Sequence, residues 1–373
     1  MLRKLSDLLY LLKEVIVKIL TGIVSVFFSV LLTVIWIPSA VACSFGQSYY
    51  PEKPRKNVLR RIAENLVWHL IYRRNNRFYM LYGLDIKGSR ISEYKDEKGF
   101  WRDLKKLDGR DNVSTCQISL LHDKYLFYKY MKMNGISTPK VLFVIRDGIL
   151  YDEMMNEADI SILSSYKNYF LKSVDGESAS FVRRVADYED FCRLLPQIQK
   201  GMYIIQEPIV QNNDMNRLNP GSVNTIRVIT VFNNGNPEVF GSLLRVGHSK
   251  TGYVDNCAVG GIAVGIKEDG RLFDYGYYKP GYGFKTDRHP DTNQHFMDFV
   301  IPQFKEALEA ACNAHKYFYN IKAIGWDIAI SESGPCFIEG NENFELSGIQ
   351  ACVGGLRKNW NSAISKNIQR YRG

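Results

Sequence analysis

Asp327, Glu339 and Asn341 are three oxygen-bearing side chains whose surroundings can bring them to one point. Ile321-Lys-Ala-Ile-Gly-Trp-Asp-Ile-Ala-Ile330 and Cys336-Phe-Ile-Glu-Gly-Asn341 flank the turn Ser331-Glu-Ser-Gly-Pro335 and read as a β-hairpin. Side chains alternate along a strand, so Glu339 and Asn341 share a face, and an antiparallel partner can set Asp327 opposite them. Magnesium is usually held by one or two carboxylates, with water and nucleotide phosphates filling the other positions. The hairpin is therefore expected to hold a metal-nucleotide. Acidic residues at a hairpin end also suit plain solvation, but the apolar run Cys336-Phe-Ile indicates burial, where a carboxylate needs a partner.

Upstream, Tyr169-Phe-Leu-Lys-Ser-Val174 reads as a short strand carrying Lys172, followed by Asp175-Gly-Glu-Ser-Ala-Ser180 and a new strand at Phe181-Val-Arg. Small residues such as Gly176 and Ser178 let backbone N–H groups approach phosphate oxygens, and lysine adds a point charge. An ordinary turn with an exposed lysine has the same pattern. Arg227 sits in the strand-like run Asn224-Thr-Ile-Arg-Val-Ile-Thr-Val-Phe232, either on a solvated edge or buried and paired with an anion such as a transferring phosphoryl group. Asn256 precedes Cys257-Ala-Val-Gly-Gly261, whose two glycines permit either close approach to a ligand or a turn into Ile262-Ala-Val-Gly-Ile266. The aperiodic stretch from Asp274 to Asn293 reads as a loop whose Lys279, Lys285, Arg288 and His289 can meet a carboxylate substrate.

These residues need elements to hold them. An amphipathic helix is expected from Leu121, with Lys124 in its first turn, ending at Asn134-Gly135 before a strand Lys140-Val-Leu-Phe-Val-Ile145. Asp123-Lys124, Gly135-Ile-Ser-Thr-Pro139, Lys172 with its small-residue loop, Tyr203-Ile-Ile-Gln-Glu-Pro-Ile209, and Asp327 followed by Glu339-Gly-Asn341 occur in the order found in the ATP-grasp superfamily, which the chain resembles. Within it the chain is similar to the sugar-transfer-associated ATP-grasp family over roughly residues 115 to 355. That likeness is carried by Ser222-Val-Asn-Thr-Ile-Arg-Val-Ile-Thr230, Asp255-Asn256 with Gly260-Gly261, His289-Pro-Asp-Thr292, Gly325-Trp-Asp-Ile-Ala329 and Ile338-Glu-Gly-Asn341. The phosphate loop departs from the glycine-richer forms of relatives.

The resemblance implies an α+β, two-lobe ATP-grasp fold with ATP between the lobes. It implies that Lys124, Lys172, Gly176 and Ser178 meet the phosphates, that Gln206, Glu207 and Ile209 form the hinge at the adenine and ribose, and that Asn256 joins the nucleotide site. Asp327, Glu339 and Asn341 then hold Mg2+, while Arg227, Lys285 and His289 serve the reacting groups. The implied activity is ligation of a carboxylate, on a small molecule or sugar precursor, to an amine or other nucleophile through an acyl-phosphate in surface polysaccharide biosynthesis. ATP-dependent phosphotransfer to a sugar or lipid-linked sugar, and a non-catalytic nucleotide-binding scaffold, are the alternatives.

Composition agrees. At 373 residues and 46% hydrophobic content the chain can bury a core and form several lobes. Its 7 cysteines are scattered without CxxC spacing, which argues against a disulfide framework or zinc site. The net charge of +9 comes without a nucleic-acid-binding motif. The uncharged run Ile19 to Ile37 is long enough to form a membrane helix, spanning or lying in the bilayer, and its heavier basic flank follows it, from Lys53 to Arg77. The expected organisation is a membrane segment at 1–45, a basic helical lead-in at 46–115, the small lobe at 116–205 and the large lobe at 206–373, with the body facing the cytoplasm from an inner or plasma membrane.

Overall fold

The chain between Val141 and Asn341 is organised by two antiparallel sheets. The computed structural model describes residues 36–107, 112–175, 181–233 and 235–369. Strands β1 (Val141–Arg146), β2 (Ile149–Asp152), β3 (Tyr169–Ser173), β4 (Val182–Val185) and β5 (Met202–Gln206) form the smaller sheet in the order β2-β1-β5-β3-β4. Strands β6 (Thr225–Asn233), β7 (Asn236–Val246), β8 (Ile262–Ile266), β9 (Leu272–Tyr278), β10 (Lys285–Thr286), β11 (Ala323–Ser331) and β12 (Gly334–Asn341) form the larger one in the order β10-β9-β8-β7-β6-β11-β12. The stretch from Asp274, expected as a loop, thus carries strand β9 and the short β10. There Gly276 lets Ile262 and Phe296 pack where a side chain would clash.

The chain divides into two compact units, one ending at Ile91 and the other running from Ser92 onward. This boundary falls inside the expected 46–115 lead-in. The first unit is built on helix α1 (Val58–Tyr72), whose first turn is capped by the Asn57 side chain accepting from Arg60 N at 2.8 Å. Its polar centre is Glu64, which accepts from Lys56 Nζ and from the Tyr79 hydroxyl at 2.7 Å. Among the described residues no helix is long and apolar enough to cross a membrane, and the run Ile19 to Ile37 lies outside them up to residue 35.

The second unit starts with helices α2 (Glu97–Leu107), α3 (Asn112–His122) and α4 (Lys124–Met133). The helix expected from Leu121 is α4 and starts later, at Lys124, because Asp123 takes an extended backbone and its side chain caps α4 by accepting from Leu126 N at 2.8 Å, while Leu121 belongs to the end of α3. Helix α4 packs Tyr125 and Tyr128 on Val144 and Ile204 of the small sheet, while helix α5 (Tyr188–Leu194) buries Phe191 against the other face with Leu171 and Ile205. Helix α6 (Asn213–Leu218) follows β5 and leads into the large sheet.

Both faces of the large sheet are covered. Helix α7 (Phe304–His315) lies behind it, burying Phe304, Ala307 and Ala311 with Ile226, Val228 and Trp326. On the front, helices α2, α8 (Ser347–Val353) and α9 (Arg357–Gln369) bury Phe100, Ile349 and Trp360 against Ile229, Val231 and Ala323. Behind the sheet, Trp326 Nε1 donates to Thr230 Oγ1 at 2.8 Å, the Thr230 hydroxyl to His315 Nδ1 at 2.7 Å, and His315 Nε2 to the Ile321 carbonyl at 2.8 Å. This chain of bonds fixes β6 against β11 and leaves no buried group of the set unpaired.

Burial pushes the His315 imidazole down to about 3. In the unfolded chain it returns to about 6.5, so between those values the unfolded state binds a proton that the folded state refuses. Stability is therefore expected to hold above pH 6.5 and to fall as pH drops below it, by at most about 1.4 kcal/mol per pH unit from this group. Urea unfolding at pH 7.5, 6 and 5 measures the slope, and His315→Gln should flatten it.

Candidate functional site

One row of side chains crosses the front of the large sheet. Leu243, Arg227, Asp327 and Glu339 are successive register partners on β7, β6, β11 and β12, so all four point the same way. Two residues along their strands, Arg245, Thr225 and Asn341 keep to that face. A purely apolar front would be covered by helices, as it is at Ile229 and Val231, but the charged row stays open to a cleft.

Asp327 is 1% exposed and sits between two guanidinium groups. Arg227 donates to both of its oxygens, with Nη2 at 3.0 Å from Oδ2, and Arg245 Nη2 lies 2.7 Å from Oδ2. Burial alone would raise the Asp327 carboxyl, yet Arg227 and Arg245 outweigh it and hold the group well below the usual carboxylate range. Arg245 Nε also donates to Thr225 Oγ1 at 3.0 Å, and Asp255 accepts from Thr225 N at 3.0 Å. Burial pushes Asp255 up, opposed by Arg245. Glu339 is raised by burial and then by the neighbouring Asp327 charge, and Asn341 Nδ2 donates to it at 3.0 Å.

Among the described residues no group of three His, Cys, Asp or Glu side chains forms a metal cluster. The front row nevertheless fits Mg2+, because this ion takes few protein carboxylates and relies on phosphate and water oxygens. The repulsion that raises Glu339 is what a cation beside it would relieve, and Asn341, whose amide nitrogen is turned to Glu339, keeps its amide oxygen as a further donor. Glu339 and Asn341 would be the principal ligands, with Asp327 shared with its arginines.

Two cavities, of about 170 and 510 Å3, share Arg245, Asn256 and Glu339 as a wall. The narrower is lined by Lys124, Lys172, Gln206, Glu207, Ile209, Asn256, Asp327 and Glu339, with Phe127, Ile204 and Phe337 among its apolar surfaces. Lys172 reaches it because it shares the face of β3 that pairs with Ile204, and its Nζ donates to Gln206 Oε1 at 2.8 Å. Gln206 is itself held by donating Nε2 to the Pro139 carbonyl at 3.0 Å. Lys124 is tied to the end of β3 through its N–H, which donates to the Val174 carbonyl at 3.1 Å. Burial lowers the Lys172 ammonium to about 8, with Glu339 opposing and Lys124 assisting.

Arg227 and Asn341 line the wider cavity. Gly176 and Ser178 lie outside the described residues. Lys285 and His289 are not brought to either cavity. The Lys285 Nζ sits 4.5 Å from the centre of the Tyr275 ring. His289 is fully buried, its Nε2 donating to the Gly247 carbonyl at 2.8 Å and its Nδ1 accepting from the Thr292 amide at 3.2 Å, so both ring nitrogens bind loops together rather than face a substrate. Asn256 caps the turn Cys257–Val259, accepting from Ala258 N at 2.8 Å, and Gly260 and Gly261 close that turn: a Cβ on Gly261 would stand 2.2 Å from the Asp255 carbonyl. Arg245 and Asp255 were given no role by the sequence reading. The signal for Arg245 was the one used for Arg227, a lone cation in the strand Gly241-Ser-Leu-Leu-Arg-Val246.

The profile of the family described as sugar-transfer associated ATP-grasp matches residues 109–362. The chain belongs to that family. No curated protein matches it in sequence. Among solved structures, this ATP-grasp chain is similar to the biotin carboxylase domain of Hydrogenobacter thermophilus 2-oxoglutarate carboxylase at 16% identity, covering 67% of this chain and 46% of the other, with a TM-score of 0.39. It is similar to D-alanine-D-alanine ligase from Helicobacter pylori at 13% identity, covering 67% and 61%, with a TM-score of 0.40. For N5-carboxyaminoimidazole ribonucleotide synthetase from Thermotoga maritima the identity is 15%, the coverage 73% and 57%, and the TM-score 0.41. The match thus spans 46 to 61% of those proteins' lengths, and a likeness this loose carries no functional argument.

Two outcomes are expected from the ATP-grasp site. Arg245→Met leaves buried Asp327 and Asp255 undercompensated and should destabilise the protein by about 3–5 kcal/mol in urea unfolding. Lys172 is a cation below about pH 8 and loses its charge above it, so Mg-ATP affinity should weaken as pH rises from 7.5 to 9. Calorimetry in buffers of different ionisation enthalpy should show proton uptake on binding above pH 8, and Lys172→Arg should abolish it.

Proposed function

We propose that this protein is an ATP-dependent ligase that activates a carboxylate as an acyl-phosphate and passes it to an amine or related nucleophile, in the assembly of a surface polysaccharide. The observation that carries this reading is the array of Lys124, Lys172, Arg227 and Arg245 around Asp327 and Glu339 where two cavities share a wall. One cavity is the place for the nucleotide and the other for its phosphoryl acceptor. Family membership supports the nucleotide chemistry, and the sugar-transfer association supports the polysaccharide setting.

In this reading Gln206, Glu207 and Ile209 border the adenine and ribose, and Lys124 and Lys172 meet the phosphates. Mg2+ at Glu339, Asn341 and Asp327 supplies charge neutralisation for phosphate oxygens when bound. The acceptor carboxylate attacks the γ-phosphorus, the bond to the β-phosphate oxygen breaks, and ADP leaves. Arg227 and Arg245, already aligned by Asp327, stabilise the negative charge spread over the transferring group without moving. An amine then attacks the acyl carbon, phosphate departs, and the amine's proton is released.

The cytoplasmic side of an inner or plasma membrane is the proposed location. Support comes from the basic flank that follows the run Ile19 to Ile37 and from helix α1, which exposes Leu59, Val67, Leu70 and Ile71 beside Arg60, Arg73, Arg74 and Arg77.

Glu339→Gln separates fold from function. Because Glu339 is buried and repelled by Asp327, the variant should be at least as stable as the wild type without ligand. Mg-ATP at a hundred times its Kd should stabilise the wild type by about 2.7 kcal/mol and the variant far less. With a carboxylate and an amine supplied, the wild type should release ADP and phosphate in equal amounts; ADP without phosphate would instead indicate transfer to a hydroxyl.

A further inference from the structure

The wider cavity has a wall from outside the segment that defines the family. Helix α2 ends at Leu107, ahead of the matched residues 109–362, and contributes Trp101 and Lys105 to the lining. Trp101 is held by its edge, since its Nε1 donates to the Phe344 carbonyl at 3.2 Å. Its neighbour Phe100 anchors the helix, fully buried with ring centres 5.1 Å from Phe344 and 4.4 Å from Trp360. An indole fixed in this way along a cavity is a rigid surface for the C–H face of a ring.

The cavity's lining sets Lys105, Arg227, Arg245 and Lys279 against Glu339 and Glu345, a positive balance. Lys279 is neutralised by its ion pair with Glu345. Arg227 donates Nε and Nη2 to Asp327, among the described residues nothing accepts from its Nη1, and exposed Lys105 stands on the helix beside the indole. Asn343 adds an amide able to bond hydroxyl groups. An aromatic wall, two cations and an amide together match a ring that carries both hydroxyls and a carboxylate.

We propose that this cavity binds an acidic sugar as the phosphoryl acceptor, with its ring against Trp101 and its carboxylate drawn to Arg227 and Lys105, so that helix α2 sets acceptor specificity. The assignment of acceptor rests on the ligase reading above. The reaction that supplies the substrate must therefore oxidise a sugar to its uronic acid, or install an equivalent carboxylate, before this step.

The test uses the full chain with Mg-ADP present and titrates D-glucuronate, D-galacturonate and D-glucose by ligand-observed NMR, in wild type, Trp101→Ala and Lys105→Glu. At least one uronate should bind about tenfold more tightly than glucose, and each substitution should weaken that binding about tenfold. Stabilisation by Mg-ATP should be unchanged in both variants, which also shows that they are folded. The proposal is overturned if neither uronate binds, if glucose binds equally well, or if uronate binding ignores both substitutions while Mg-ATP still stabilises the wild type. Failure of Mg-ATP to stabilise the wild type sinks the ligase reading itself, and any uronate binding then seen is not that of an acceptor.

Discussion

Asp327 held between Arg227 and Arg245 is the interaction on which the site depends. A carboxylate this deeply buried is tolerated only because two guanidinium groups compensate it, and those groups are tolerated only because Asp327, Asp255 and Thr225 compensate them. The arrangement is mutual, so no member can be displaced without leaving a buried charge exposed to the apolar sheet. What results is a set of dipoles and charges whose orientation is settled before any ligand arrives, which is the condition for electrostatic stabilisation of a transferring phosphoryl group.

Strand register is what makes this possible, and the same strand secures it from behind. A one-residue slip of β11 would turn Asp327 into the core and Trp326 into the cleft. Trp326 prevents it by packing with Phe318 and Phe337 and by bonding Thr230, which in turn bonds His315. The back of the sheet thus carries apolar packing and a short polar chain, while its front carries the charges. Fold stability and site geometry are two faces of one strand pairing.

The cleft is electrostatically uneven. The small sheet and α4 bring two cations, with Lys124 adding to the burial that lowers Lys172, and the large sheet brings Asp327, whose charge adds to the burial that raises Glu339. Lys172 and Glu339 are thus each disfavoured in their charged forms, whereas Asp327 is stabilised by its two arginines. In the proposed reading a magnesium-polyphosphate would relieve Lys172 and Glu339 at once, its anionic oxygens meeting the lysines and its cation meeting Glu339 and Asn341.

Much of this was legible in the sequence because it is local. The hairpin with Asp327 opposite Glu339, the strand bearing Lys172 and the order of motifs follow from alternation, turn residues and spacing over short stretches. Other features depend on partners far away in the chain. Arg245 is an ordinary strand arginine until β7 pairs with β6 and β6 with β11, which sets it against Asp327. His289 looked chemically available, but Gly247 and Thr292 claim both its nitrogens. Asp123 caps α4 and so starts that helix later than hydrophobic periodicity alone places it. The sequence by itself determined which side chains could act and which share a strand face, since period and propensity are properties of neighbours. Only the tertiary structure decided which of them meet and which are spent on the scaffold, because burial and pairing between distant strands set their charge and leave, or do not leave, an atom free for a ligand.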